Sequence, residues 1–138
     1  MVGLDQLDGL DRLLAQARVD MDKADQQALE RLRAARLACL IEVLYATGLR
    51  VSELMALPRS AAKRDARMIV VRGKGNKERM VPLNEAAKRA MADYLGLAAQ
   101  AGGAAASKWL FPSFGDSGHL TRQHFARELK ALAGAAGL

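Results

Sequence analysis

The sequence has a single cysteine and no long apolar run, and each shortage excludes a class of protein. Cys39 alone cannot build a disulfide scaffold, and its place in an apolar stretch predicts a packed core thiol. No run approaches the roughly 18 apolar residues that span a bilayer, and the first residues are acidic, unlike the basic start of a signal peptide. A chain of 138 residues has the length of one domain, and we expect it in the cytoplasm, away from membranes.

The sequence also lacks the residue patterns of several catalytic and cofactor sites. His119 and His124 have no further histidine or cysteine at metal-ligand spacing. Neither Ser52 nor Ser60 has a nearby histidine that would indicate a catalytic triad. The run at residues 73–75 differs from a P-loop because no serine or threonine follows its lysine. We therefore expect no metal and no small-molecule cofactor.

The formal net charge of +6 is unevenly distributed along the chain. Residues 1–30 are acidic on balance, whereas residues 59–79 form a basic block. The cations of that block are Arg59, Lys63, Arg64, Arg67, Arg72, Lys74, Lys77 and Arg79. This distribution is compatible with a polyanionic partner, although a solvated surface is the alternative explanation for each of these residues.

Apolar spacing and turn residues divide the chain into helices and a small sheet. The predicted helices cover residues 4–17, 24–47, 51–57, 84–101 and 121–133, with a polar connector at residues 20–25. The predicted strands cover residues 68–72 and 79–83, with residues 109–112 as a candidate third strand. The resulting fold class is α+β, mainly helical, with a small antiparallel hairpin or three-stranded sheet.

Local signals also assign the helix ends and the buried faces. The predicted N-terminal caps are Asp22 or Asp25, Asn84 and Thr121, and the predicted stops are Gly48, Pro58 and Gly134. Phe125, Leu129 and Leu132 are spaced as one buried stripe of the last helix. Tyr45 and Tyr94 lie on apolar helix faces and are predicted to pack in the core, whereas Arg36 is placed on an outer face.

Two cations stand at positions that the local structure would hold in place. Arg50 follows the helix stop at Gly48, and its planar, permanently charged guanidinium suits a carboxylate or a phosphate. Lys74 lies between two glycines at the tip of the predicted hairpin, where it can reach into a groove or toward a leaving oxygen. From the residues alone, a solvated or salt-bridged surface cation remains the alternative for both.

Two long motifs together resemble the tyrosine recombinase family, and within it the Xer type. They are LYATGLRVSEL at residues 44–54 and GKGNKERMVPL at residues 73–83. The shorter runs LFPS at residues 110–113 and LTRQ at residues 120–123 also resemble that family. The similarity covers roughly residues 29–138, and residues 1–30 fit only loosely, as the helix that opens the catalytic domain.

The resemblance implies a DNA strand-exchange chemistry without a cofactor. In that family a tyrosine attacks a DNA phosphodiester to give a 3′-phosphotyrosyl link, arginines surround the phosphate, and a hairpin lysine protonates the leaving oxygen. By resemblance, Arg50 matches the first arginine, Lys74 matches the hairpin lysine, and Glu53 matches the acidic residue that supports the site. The further DNA-contacting residues that we expect are Arg72, Lys77, Arg79 and Arg122.

The resemblance also has departures. The family continues with a His-x-x-Arg motif and the tyrosine nucleophile, where this chain ends at residues 135–138. Neither His119 nor His124 matches that motif, because their surroundings match an earlier helix. Ala61 and Ala62 stand where the family usually has an aspartate followed by an apolar residue. We therefore expect a truncated catalytic domain, without its core-binding domain, that lacks a nucleophile and is inactive in cleavage.

Two functions remain open from the sequence. The first is a site-specific recombinase fragment that binds the backbone of double-stranded DNA, beside a second copy or a related recombinase subunit. The second is a non-catalytic DNA-binding or self-associating module on the recombinase half-fold. Either way, the missing half predicts an exposed apolar patch.

Overall fold

The computed structural model describes residues 4–62, 67–101, 107–113 and 115–138. The helices are α1 (Leu4–Thr47), α2 (Val51–Met55), α3 (Glu85–Ala101) and α4 (Arg122–Ala135). The strands are β1 (Met68–Arg72) and β2 (Glu78–Pro82), and short 3₁₀ turns cover Arg59–Ala61 and Lys74–Asn76. Contacts divide the chain into two units, Met1–Arg31 and Leu32–Leu138. The α+β, mainly helical class is confirmed.

The first unit is the beginning of α1, and here the predicted break between two helices is wrong. Residues 18–25 contain no glycine or proline, so nothing in them stops a helix. The Gln16 amide donates to the Asp20 carboxylate at 2.9 Å across one helical turn. Asp22 and Asp25 consequently lie inside α1 and cannot be N-caps. Residues 10–31 are exposed along this whole stretch.

The second unit contains the apolar core. Its fully buried side chains come from α1, α2, β1, α3 and the segment before α4: Cys39, Leu40, Val43, Leu54, Met55, Ile69, Val71, Met91, Phe111 and Leu120. Cys39 has its Sγ atom 3.8 Å from the Met91 sulfur, and burial raises the pKa of its thiol to about 12. The prediction of a packed core thiol is therefore confirmed.

The sheet is one antiparallel hairpin. β1 pairs with β2 in a register that places Val70 opposite Met80 and Arg72 opposite Glu78. β2 begins at Glu78, one residue before the predicted strand. In β1, the side chains of Ile69 and Val71 are buried in the core. Residues 109–112 form only isolated bridges, Pro58 with Trp109 and Pro112 with His119, so the candidate third strand is absent from the described part of the chain.

The departure at Ala61 and Ala62 has a packing explanation. Ala61 is 2% exposed, and Ala62 forms an isolated bridge with Ile69 at the start of the hairpin. A methyl group at residue 61 therefore fills a core position instead of a solvated loop position. Lys63 and Arg64 of the predicted basic block lie outside the described residues.

The caps of α3 and α4 are as predicted. The Asn84 side chain accepts a hydrogen bond from the Ala87 amide at 2.8 Å, and the Thr121 hydroxyl accepts one from His124 at 3.1 Å. α4 does not end at Gly134, because it continues to Ala135 and the left-handed residue is Gly137 at φ 78°. The predicted helix-ending glycine was Gly134, whereas the glycine with a left-handed backbone after α4 is Gly137.

The apolar stripe predicted for α4 is buried only at its start. Phe125 is 4% exposed, whereas Leu129 is 40% and Leu132 is 45% exposed. The described elements leave the second half of α4 uncovered, in line with the expected apolar patch. The prediction for Tyr45 is also wrong, since its side chain is 86% exposed, while Tyr94 is buried as predicted.

Candidate phosphate-binding site

Arg50 is held in a corner between α1 and α2, which we call the Arg50 corner (residues 47–54). Gly48 adopts φ +65°, and its amide donates to Leu44 O at 2.9 Å, which closes α1. The Thr47 hydroxyl donates to Val43 O and accepts from the Leu49 amide at 3.2 Å. Leu49 is 6% exposed and anchors the turn in the core. The predicted helix stop at Gly48 is therefore confirmed.

The backbone of Arg50 is fixed on both sides while its side chain stays outside. Its amide donates to Glu53 Oε1 at 3.0 Å, and its carbonyl accepts from the Leu54 amide at 3.0 Å. Leu54 is fully buried, so the first turn of α2 is tied to the core. The Arg50 residue itself is exposed. The corner consequently presents a permanently charged guanidinium from a fixed backbone.

Glu53 links this corner to the hairpin. Besides accepting from the Arg50 amide, its second oxygen lies 3.8 Å from a guanidinium nitrogen of Arg79 in β2. The Glu53 side chain is 26% exposed and that of Arg79 is 59% exposed, so the pair is weak in energy. Glu53 lies where a supporting residue would be needed, because it contacts both sides of the candidate site.

The hairpin tip (residues 73–77) carries its lysines on exposed turns. The Gly73 amide donates to Lys77 O at 2.8 Å, and Gly75 and Asn76 have φ values of 72° and 64°. Lys74 and Lys77 are both exposed. Their amines therefore project from a closed turn without the core anchor that supports Arg50.

Arg72 and Arg122 are more distant members of the predicted set. Arg72 forms an ion pair with Glu78 at 3.3 Å across the base of the hairpin tip, with both side chains largely exposed. Arg122 is the exposed first residue of α4, a helix that contacts α2. Hydrogen bonding and ion pairing thus join Arg50, Glu53 and Arg79, whereas Lys74, Lys77 and Arg122 lie at the surface and form neither kind of contact with those three.

A depression beside Glu53 is a poor place for a phosphate. Its volume is about 440 Å³, and its charged lining residues are Glu53, Arg72 and Glu78. Two carboxylates against one guanidinium disfavour an anion. The remaining lining is mainly apolar, from α2, the following turn and β1: Ala56, Leu57, Pro58, Ala61, Val70 and Val71.

Sequence reasoning missed one polar cluster. Arg36 was placed on an outer face, but its side chain is only 15% exposed and pairs with Glu128 of α4 at 2.8 Å. His124 Nε2 lies 2.7 Å from the same Glu128 oxygen. The four-residue spacing of His124 and Glu128 is visible in the sequence, but the partner across 92 positions is not.

The two tyrosines differ in their availability as nucleophiles. The Tyr94 hydroxyl donates to Leu110 O at 2.7 Å, its ring stacks on Phe111, and burial raises its pKa to about 12. Tyr45 is exposed near the end of α1. A phenol as buried and engaged as Tyr94 cannot attack a DNA phosphate without unfolding.

Comparison with known proteins identifies the family. Residues 16–138 match the phage integrase family. The chain belongs to this family of tyrosine recombinases. It is 69% identical over 134 residues to the tyrosine recombinase XerD of Bradyrhizobium diazoefficiens, which covers 94% of this chain and 42% of that protein. It is 50% identical over 132 residues to the XerD of Brucella suis, covering 96% of this chain and 42% of that protein.

A solved structure supports the fold. The crystal structure of XerA recombinase matches with a TM-score of 0.60 and 26% identity, covering 81% of this chain and 42% of that one. The chain therefore spans about two fifths of the length of the recombinases that it matches. Within the described residues, no helix has both the length and the apolar content to cross a membrane.

Proposed function

We propose that these 138 residues are part of the catalytic domain of a cytoplasmic, site-specific DNA recombinase and bind the phosphodiester backbone of double-stranded DNA. Family membership supports the DNA substrate, and the geometry around Arg50 supports the place where DNA binds. The observation that carries the proposal is Glu53, which contacts both the Arg50 amide and Arg79 of the hairpin. Two motifs that are far apart in sequence thereby meet at one supporting carboxylate.

Arg50 is the main phosphate ligand in this proposal. A guanidinium offers paired N–H donors that match two oxygens of a phosphate, and the fixed backbone of the corner limits the entropy lost on binding. In the full recombinase, the transition state accumulates charge on the phosphoryl oxygens, and such a ligand stabilises it. The full enzyme would break and rejoin DNA through a 3′-phosphotyrosyl intermediate.

Lys74 has a different role in the same site. Its amine lies at the exposed hairpin tip, where it can follow a DNA backbone and give a proton to the departing 5′ oxygen. Lys77, Arg72, Arg79 and Arg122 add phosphate contacts that position the DNA without reading its sequence.

These residues bind DNA but do not cleave it. The chain contains two tyrosines, and Tyr94 is buried and hydrogen bonded. Incubation with suicide DNA substrates, followed by denaturing electrophoresis, should give no covalent adduct. An adduct that Tyr45→Phe abolishes would show that this chain carries its own nucleophile and would overturn the binding-only assignment.

DNA binding itself is tested by fluorescence anisotropy of a labelled duplex over a series of salt concentrations. Each phosphate contact contributes about one unit to the slope of log K against log salt, so Arg50→Gln and Lys74→Gln should each reduce the slope by roughly 1. Arg89→Gln and Lys130→Gln are matched controls on exposed helix faces away from the site. The assignment fails when the site variants behave as the controls do.

The second candidate is a non-catalytic module that self-associates on the half-fold. The exposed Leu129 and Leu132 of α4 are the observation that favours it. Sedimentation analysis separates the two candidates. A stable dimer that Leu132→Ser dissociates supports the module. A salt-sensitive DNA complex, together with the same solution mass for Leu132→Ser as for the parent chain, supports the recombinase part.

A further inference from the structure

One ion pair joins α4 to α1 inside the second unit. Arg36 and Glu128 lie 2.8 Å apart across 92 positions of sequence, with side chains that are 15% and 20% exposed. Among the described residues, Glu128 is the one carboxylate that pairs with Arg36, whose Nε atom is buried without a hydrogen-bond partner. Removing one member of such a pair leaves an uncompensated charge in the interior. Movement of α4 away from α1 would therefore carry that penalty.

The same carboxylate is linked to the start of α4. His124 Nε2 lies 2.7 Å from Glu128 Oε1, the oxygen that Arg36 also contacts. The His124 amide donates to the hydroxyl of Thr121 at 3.1 Å, and Thr121 is the N-cap that directly precedes Arg122. Contacts thus run from α1 through the Glu128 carboxylate to the helical turn that carries Arg122.

α1 carries both Arg36 and the Arg50 corner. Arg36 lies about three helical turns before Thr47, where α1 ends and the corner begins. Val43, which lies between them, is fully buried, and α4 also contacts α2, the helix that follows Arg50. Packed helices and ion pairs of this kind can couple the positions of distant side chains. The Arg36–Glu128 pair therefore lies between two elements that each present a cation of the candidate site.

We propose that Glu128 is a positioning residue of the phosphate-binding site. By holding α4 against α1, it sets where Arg122 lies relative to Arg50. This inference rests on the proposed function, because both arginines are proposed ligands of the DNA backbone. Ligands that a supporting contact does not hold in their productive arrangement lose contacts with the substrate. Glu128 itself touches no DNA in this assignment.

Duplex binding by anisotropy separates positioning from simple electrostatics. Glu128→Ala removes a negative charge, so electrostatics alone would tighten DNA binding. Displacement of Arg122 should instead weaken binding about threefold or more at constant salt, and it should reduce the slope of log K against log salt by up to about 1. Asp93→Ala makes the same charge change on an exposed part of α3 and should not weaken binding. Tighter or unchanged binding by Glu128→Ala overturns the proposal.

A double-mutant cycle with Arg122 tests the route of the effect. In the Arg122→Gln background, Glu128→Ala should change the affinity no more than Asp93→Ala does, because the ligand that it positions is already absent. A merely structural defect would weaken binding by the same factor in both backgrounds, and that result overturns the proposal. An Arg122→Gln variant with the salt slope of the parent chain overturns it as well.

Arg50→Gln keeps this inference separate from the proposed function. If Arg50→Gln binds DNA as the control Arg89→Gln does, the proposed function fails and the inference fails with it. If Arg50→Gln weakens binding while Glu128→Ala acts independently of Arg122, the inference alone fails.

Spin labels test the position of α4 without DNA. Labels at Ser52→Cys and Gln123→Cys, both exposed, report the separation of α2 and the start of α4. Cys39 is buried and does not compete for the label. The distribution of label distances should shift or broaden in Glu128→Ala, and an unchanged distribution overturns the proposal.

A milder variant keeps the test decisive if circular dichroism shows that Glu128→Ala is unfolded. Glu128→Asp retains the charge but shortens the side chain by one methylene, so the 2.8 Å contact with Arg36 cannot form without movement of α4 or of the guanidinium. Because the charge is unchanged, electrostatics alone would leave DNA binding as in the parent chain. Weaker binding together with shifted or broadened label distances supports the positioning role, whereas parent-like values of both overturn it.

Discussion

The Arg50 corner and the hairpin tip both present exposed cations that we propose to bind phosphate, but they hold them in different ways. The corner is anchored by the buried Leu49 and Leu54 and by hydrogen bonds on both sides of the Arg50 backbone. The tip is a closed turn in which Lys74 and Lys77 are exposed. The core therefore fixes the backbone that carries Arg50, whereas the two lysines are carried by an exposed turn.

This difference suits the chemistry that each group would do. Stabilising the charge of a transition state depends on donors that need no rearrangement, so a fixed arginine is effective. Transfer of a proton to a leaving oxygen needs a group that reaches the oxygen as the bond breaks, so an adjustable lysine is sufficient. The Glu53–Arg79 contact joins the corner to β2, the strand that follows the tip, with little energy of its own.

The largest expected effect comes from truncating Leu54, the buried side chain that anchors the Arg50 corner in the core. Leu54 is fully buried, so Leu54→Ala should lower the free energy of unfolding by about 2–5 kcal/mol in urea denaturation. Met80 in the hairpin is 66% exposed, and Met80→Ala should change the free energy of unfolding by less than about 0.5 kcal/mol. Equal losses in the two variants would show that the hairpin is as strongly anchored as the corner.

The left-handed glycines provide the next test. Gly48→Ala should cost about 1–2 kcal/mol, because φ +65° is strained for alanine and the corner cannot relax. Gly75→Ala has the same backbone problem at φ 72° but lies in an exposed turn, so it should cost less. Gly96→Ala in the interior of α3 is the control and should stabilise by roughly 0.5–1 kcal/mol. Thermal unfolding would contradict the comparison if Gly75→Ala were the more damaging of the two.

Tyr94 supports the corner indirectly and gives a pH test. Its hydroxyl bonds Leu110 O, and the Leu110 amide donates to Leu57 O just after α2. Tyr94→Phe should cost about 1 kcal/mol at neutral pH. Because the folded pKa is raised from 10.0 to about 12, the stability from the neutral phenol is complete below pH 10 and is lost as the pH rises toward 12.

The measurement is the difference in unfolding free energy between the parent chain and Tyr94→Phe from pH 9 to pH 12. That difference should fall as the pH rises above 10, by up to about 1.4 kcal/mol per pH unit, and should reverse sign before pH 12. Cys39 also titrates in this range and interacts with Tyr94, so both chains are also measured with Cys39→Ala. A constant difference would mean that the Tyr94 phenol is not desolvated in the fold.

The smallest expected effect is the coupling between the two regions. A double-mutant cycle of Glu53→Gln and Arg79→Gln should give an interaction of about 0.2–1 kcal/mol. Glutamine retains an oxygen for the Arg50 amide, so the cycle isolates the ion pair. The coupling should decrease in high salt. A value of zero at low salt would leave the corner and the hairpin independent.

Local signals predicted the helix ends and the strands better than they predicted which side chains are buried. The Gly48 stop, the caps at Asn84 and Thr121, and both strands follow from residues that lie within a few positions of each other. The continuous α1 was missed because a polar stretch was taken as a connector although it contains no helix breaker. Leu132 and Arg36 were misplaced because their burial depends on which distant element covers them, which spacing cannot tell.

The roles that we propose for Arg50 and Lys74 came from motif resemblance, whereas the contacts around Arg50 came from the fold. The three-residue spacing of Arg50 and Glu53 fits one helical turn and was visible in the sequence. The contact of Glu53 with Arg79 joins a helix to a strand, and no local pattern indicates it. Long-range pairs of this kind require the three-dimensional arrangement.

Charge-preserving exchanges test whether the corner presents Arg50 from a fixed backbone for paired hydrogen bonds, while the tip presents an adjustable lysine. Duplex binding by anisotropy would be measured for Arg50→Lys and Lys74→Arg at constant salt. Arg50→Lys should weaken binding about three- to tenfold, because the paired donors are lost, and Lys74→Arg should change the binding less than about twofold. Unchanged binding by Arg50→Lys, or an equal loss in both variants, would contradict it.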